Sequence, residues 1–177
     1  IGSGLVGSEM CIRDSYNKRS LNRYLEDVFE DCLLNEKELG ILFLDIDHFK
    51  QLNDRYGHGR GDEGICAVAD TLKKCFPEDY VARYGGDEFL VVMTGRDREY
   101  AEEHARQLCM GIRECEIPNE DSSVEPWLTI SVGGVCAIPK EPNRVWDFLS
   151  AADKTLYDQK NEQKGKVRFY VGEGQYL

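Results

Sequence analysis

The chain has 177 residues with 41% hydrophobic and 31% charged content, which fits one globular domain with a sizeable core. Its formal net charge of −11 argues against a nucleic-acid duplex as partner, because a polyanion needs a basic face, but leaves room for a single small anion held by a few local cations. Seven cysteines (11, 32, 66, 75, 109, 115 and 136) form no CxxC pair or zinc spacing, which points to reduced thiols in a cytoplasmic protein, and no apolar run in this chain reaches membrane-spanning length.

Residues 1–15 carry no helical or strand period and read as a tag, linker or assembly artefact, apart from a domain spanning residues 16–177. From Ser20, apolar residues at Leu21, Tyr24, Leu25, Val28, Phe29, Cys32 and Leu33 recur at the spacing of an amphipathic helix, with Ser20 as its cap. Residues 41–44 form a short apolar run ended by Asp45-Ile46-Asp47, so a central strand delivers a carboxylate at its end. Residues 49–56 read as a brief helical turn stopped by Gly57. Gly61-Asp62 then opens a helix with Ile65, Val68, Ala69 and Leu72 inward, closed by Pro77. Residues 80–83 and 89–93 are β-prone runs on either side of Gly85-Gly86, a hairpin whose glycines tolerate the positive φ of a tight turn. A long helix over residues 98–117 and a polar loop over 118–126 follow. A strand over 127–137, a last helix carrying Val145, Phe148, Leu149, Ala152, Leu156 and Tyr157, and an edge strand over 167–171 complete the chain. A hairpin among alternating helices and strands gives an α+β domain, a mixed central β-sheet with flanking helices.

Three stretches carry the chemistry. At the hairpin tip a turn needs the glycines but has no need of Asp87 and Glu88. With Asp45 they place three carboxylates around one pocket, hard oxygen donors of the kind magnesium takes. His48-Phe49-Lys50 sits at a strand-to-helix turn, where backbone N–H groups favour phosphate and the Lys50 ammonium can face it. Lys160 and Lys164 lie four apart on one helix face. Each stretch has a plainer reading. Asp45 and Asp47 suit helix caps, Asn53 a helix end, Asp62 an N-cap, and the two lysines a helix C-terminal dipole. Spacing alone leaves these open.

Arg83-Tyr84-Gly85-Gly86-Asp87-Glu88-Phe89 resembles the signature of the GGDEF family, the bacterial diguanylate cyclases, and the stretches FLDIDHFKQLND and NDRYGHGRGDE resemble its companion motifs. The resemblance runs from about Tyr16 to Tyr170. It implies a palm-like nucleotide cyclase fold carrying the GGDEF hairpin. The implied reaction condenses two GTP into cyclic di-GMP and two pyrophosphates, each 3′-hydroxyl attacking the GTP of the other subunit in a homodimer. It also implies two Mg2+ per GTP, with Mn2+ as a substitute, and an upstream sensor domain in the full-length protein.

By the same resemblance Asp45, the Ile46 carbonyl, Asp87 and Glu88 hold metal. Asp87 also accepts the ribose 3′-hydroxyl proton, and Lys50 stabilises the transition-state charge. Asn53 and Asp62 read guanine beside His58, while His48, Phe49, Lys160 and Lys164 take the phosphates. Three departures stand out. Only Tyr16-Asn17-Lys18-Arg19 resembles the end of the family's D-x-L-T-G-L-x-N-R-R element. Gln163 and Lys164 replace the glycine and arginine of the family's YxAKxxGRN ending, which removes a bidentate phosphate contact. Phe76-Pro77-Glu78-Asp79 lacks the arginine of the R-x-x-D product-inhibition site, so product feedback there should be weak or missing. The rival reading is an inactive GTP- or cyclic di-GMP-binding regulatory module, against which the intact Asp45, Asp87 and Glu88 speak.

Overall fold

The structure, a computed structural model, describes residues 18–171; the stretch 1–15 lies outside them. Its elements follow the order α1 (Lys18–Leu34), β1 (Leu39–Ile46), α2 (Phe49–Tyr56), α3 (His58–Cys75), β2 (Tyr80–Arg83), β3 (Glu88–Thr94), α4 (Arg98–Glu114), β4 (Ile130–Ala137), α5 (Val145–Glu162) and β5 (Val167–Phe169). The strands form one mixed sheet in the order β2-β3-β1-β4-β5. β1 lies at its centre, antiparallel to both β3 and β4, and β5 runs parallel to β4 at the edge.

The apolar run of β1 explains its central place. Side chains alternate between sheet faces, so Leu42, Leu44 and Ile46 join the core under α2, α3 and α4, while Leu39, Ile41 and Phe43 join the core under α1 and α5. A one-residue slip would exchange these two sets, and it would also move Asp45 off the end of the strand. On the α5 side the approach is close. A Cβ at Gly133 of β4 would collide with the Leu156 backbone nitrogen and the Ala152 carbonyl, so only glycine lets α5 lie against the strand there. That packing brings the C-terminal end of α5, with Lys160, beside the end of β1; α5 ends at Glu162 and Gln163 is extended, so Lys164 lies just past the helix and not on one face of it with Lys160.

Several boundaries differ from the sequence reading. α3 begins at His58 rather than at Gly61-Asp62, because Gly57, at φ 83°, separates it from the two-turn helix α2 in a single residue. Asp62 therefore sits inside the helix, exposed, and is not its N-cap. α4 ends at Glu114, and β4 starts at Ile130 because Trp127 instead forms an isolated bridge with Pro118 that closes the intervening loop. Neither Gly85 nor Gly86 has positive φ. Four residues separate β2 from β3, and the loop is held by Arg83, whose guanidinium donates to the Gly85 carbonyl at 3.1 Å and the Gly86 carbonyl at 2.6 Å. A Cβ at Gly85 would come within 2.6 Å of the Glu88 carboxylate, so any larger residue there would displace that carboxylate.

Candidate active site

The end of β1 and the start of β3 are register partners, Asp45 opposite Glu88, and the Ile46 N–H donates to the Asp87 carbonyl at 3.2 Å. Antiparallel pairing thus places the carboxylates of Asp45 and Glu88 side by side, with Asp87 one residue away at the loop. Burial pushes the Glu88 carboxyl above its ordinary range, and the charges of Asp45 and Asp87 push the same way. Asp45 is also raised, first by burial and then by Asp87 and Asp47, against the opposing pull of Lys160. The Lys160 ammonium lies 2.7 Å from Asp45 Oδ1, and both side chains are largely shielded, at 27% and 14% exposure.

No three carboxylate, imidazole or thiol side chains among the described residues converge as a ready-made metal cage. Magnesium does not require one: it binds through one or two carboxylates plus phosphate oxygens and water. Asp45 and Glu88 supply a close hard-oxygen pair; burial first, and the neighbouring acid charges second, raise their affinity for protons, and a dication between them would offset both. The residues fit the ion.

Beside the carboxylates lies a cavity of about 310 Å³ lined by Ser123, Val124, Lys160, Glu162, Gln163 and Lys164. His48 approaches it from the β1–α2 turn, its Nε2 3.1 Å from Ser123 Oγ. Burial and the nearby Lys164 and Lys160 hold the His48 imidazole below its ordinary pKa despite Asp47. His48 precedes α2 in the left-handed region at φ 55° and makes no side-chain cap, so the first N–H groups of α2 lack a side-chain partner from that position. Phe49 is half-buried, its side chain packed against the core.

On the other side of α2, Asn53 Oδ1 is buried without a hydrogen-bond partner and presses on Gly61, where a Cβ would overlap it. Asn53 and the Gly61-Asp62 step are therefore neighbours. Lys50, His58 and Asp62 are exposed, and no hydrogen bond or ion pair among the described residues ties them to the carboxylates.

Two features escape the sequence reading. Asp47 does not cap α2; it is fully buried and accepts hydrogen bonds from Thr129 and Ser131. Ser123 reaches the cavity from a polar loop with no motif to mark it. The product-inhibition segment is occupied by contacts of its own. Phe76 is 1% exposed within the core, its ring 5.8 Å from that of His104, so it presents no stacking face. Asp79 accepts from the Tyr100 hydroxyl at 3.0 Å, and Glu78 pairs with Arg96.

The family model for "Diguanylate cyclase, GGDEF domain" matches residues 14–166. Probable diguanylate cyclase DgcC of Escherichia coli strain K12 is 33% identical over 153 residues, covering 86% of this chain and 40% of that protein. Diguanylate cyclase A of Treponema denticola is 33% identical over 167 residues, covering 90% of this chain and 44% of that protein. The chain thus spans less than half the length of either relative. The active GGEEF domain of a diguanylate cyclase from Vibrio cholerae shares the fold at a TM-score of 0.78 and 24% identity, covering 88% of this chain and 97% of that one. No helix among the described residues is long and apolar enough to cross a membrane. With the hairpin, the strand-end aspartate and the mixed sheet all in place, the chain belongs to the GGDEF family of diguanylate cyclase domains.

Proposed function

We propose that this domain condenses two GTP into cyclic di-GMP and two pyrophosphates, acting as a homodimer in which each protomer holds one GTP. The observation that carries the reading is the register pairing of Asp45 with Glu88 beside a lysine-lined cavity. Paired acids next to basic walls suit a polyphosphate whose charge is shared between a divalent cation and ammonium groups. Asp45, Glu88, Asp87 and the Ile46 carbonyl would hold Mg2+, or Mn2+ in its place. Bound there, the ion withdraws charge from the phosphoryl oxygens and eases deprotonation of the attacking hydroxyl.

Lys160 and Lys164 bind the phosphate chain from the α5 side, and His48 and Phe49 from the β1–α2 turn through backbone N–H groups. Lys50 places positive charge where negative charge develops on the phosphoryl oxygens in the transition state. Asn53 and Asp62, with His58 alongside, read the guanine. The pairing of its N1–H and 2-amino donors with a carboxylate rejects adenine, which lacks that donor pair. Asp87 accepts the 3′-hydroxyl proton. The O3′–phosphorus bond forms as the bond to pyrophosphate breaks, and the two facing protomers each perform one such step. Much of the rate comes from positioning, since neither protomer alone brings nucleophile and phosphorus together.

Replacing Asp45 or Asp87 with alanine is expected to abolish synthesis while circular dichroism reports an intact fold. Both residues lie at the open end of the sheet, so their loss leaves the core whole. Full activity in either variant contradicts the assignment.

A further inference from the structure

Behind the cavity sits a carboxylate to which the proposed chemistry gives no role. Asp47 is 0% exposed, and none of its hydrogen-bond partners among the described residues is a cation. A buried carboxylate of this kind is costly to hold, so what it connects matters. Thr129 Oγ1 donates to Asp47 Oδ2 at 2.9 Å and Ser131 Oγ donates to Oδ1 at 2.7 Å. The Asp47 N–H donates to the Thr129 carbonyl at 2.9 Å, and Asn119 Nδ2 donates to the Asp47 carbonyl at 3.3 Å.

These bonds reach every wall of the cavity. Asp47 belongs to the turn that carries His48. Asn119 opens the loop that brings Ser123 and Val124, and that loop is itself closed by the Asn119 N–H on the Pro126 carbonyl at 2.8 Å. The third wall is reached through Ser131. Its hydroxyl hydrogen is committed to Asp47, which turns a lone pair toward Gly165, and the Gly165 N–H donates to it at 3.1 Å. Gly165, at φ 73°, ends the segment carrying Lys160 and Lys164, and its carbonyl accepts from Arg113 at 3.0 Å.

We infer that Asp47 is a positioning residue for the polyphosphate: it fixes the β1–α2 turn, the 118–126 loop and the end of α5 in the one arrangement that lets their donors converge. The inference rests on the reading of the cavity as a phosphate site. It differs from a cap, which would serve α2 alone, and from a core contact, which would serve stability alone.

The test uses the whole chain and three probes, inorganic tripolyphosphate with Mg2+, GTP and ATP, titrated by calorimetry well below the melting temperature. Asp47→Asn keeps the shape but leaves one hydroxyl hydrogen without an acceptor; Ser131→Ala removes the hydroxyl bridge between Asp47 and Gly165 and leaves the Thr129 and Asn119 bonds of Asp47 in place. Both variants are expected to bind tripolyphosphate about tenfold more weakly, the loss of one hydrogen bond to a charged group, with the ratio of GTP to ATP affinity unchanged. A purely structural Asp47 would lower the melting temperature and leave tripolyphosphate affinity at the parent value, and that result overturns the inference. If Asp47→Asn does not fold, Ser131→Ala decides alone: weakened binding upholds the inference, parent-like binding overturns it. A parent chain that binds no tripolyphosphate overturns the phosphate reading of the cavity, and the inference with it.

Discussion

At the scale of single residues, the acids of the site announce themselves in the sequence because a turn has no use for them. Asp87 and Glu88 lie at a hairpin tip, and Asp45 at the end of an apolar strand. Asp47 is the opposite case: a carboxylate just before a helix looks like a cap, and only the fold reveals that Thr129 and Ser131, more than 80 positions later, wait to receive it. Glu88 gives a pH-dependent expectation. A carboxyl raised by folding binds its proton more tightly in the native state than in the unfolded chain. Its ionisation therefore costs stability as pH climbs from its unfolded value, about 4.3, through its higher native one. Glu88→Gln should accordingly match the parent in melting temperature near pH 4 and exceed it by a few degrees at pH 7.5 in the absence of metal. Equal melting temperatures at both pH values would show that folding does not raise the Glu88 carboxyl.

Gly61 gives a sharper expectation at the same scale. It lies inside α3 with helical backbone, so alanine there gains helix propensity, worth about 0.5–1 kcal/mol. The new Cβ nevertheless overlaps Asn53 Oδ1, and the flexible amide is what must move. Gly61→Ala should therefore keep or raise the melting temperature while losing about tenfold in GTP affinity, most of it from the preference over ATP. Retained GTP affinity would place the base contact away from Asn53.

At the scale of elements, the order of helices and strands is legible because hydrophobic period and length agree in each. The start of α3 is not, since Gly57 makes the break and the glycine at 61 serves Asn53 instead. The Phe76–Asp79 segment shows how burial changes the meaning of a substitution. The sequence shows a missing arginine; the fold shows that Phe76 has become core, while Asp79 and Glu78 are already engaged by Tyr100 and Arg96. Initial rates at saturating GTP should therefore be insensitive to micromolar cyclic di-GMP. Any residual inhibition should be competitive with GTP, arising in the active half-site. Potent non-competitive inhibition would show that the segment still grips product.

At the scale of the whole molecule, the hairpin extends an antiparallel sheet, which the parallel edge strand β5 makes mixed. Strands β2 and β3 join antiparallel and insert beside β1, so that one sheet end gathers Asp45, Asp87 and Glu88, and the close approach of α5 at Gly133 adds the lysines. A sequence read by motif gives the acids and the base pair of Asn53 and Asp62. It cannot show that Ser123 and the end of α5 share a cavity, because that nearness depends on how α5 packs. One domain holds one nucleotide in this account, so product must form between two copies. The purified chain, incubated with GTP and Mg2+ and its products resolved by chromatography, tests this most directly. One cyclic di-GMP is expected for every two pyrophosphates released, at a rate per protomer that rises with protein concentration. GTP bound in calorimetry with no cyclic product at any concentration would contradict it, and would make the domain a nucleotide-binding module.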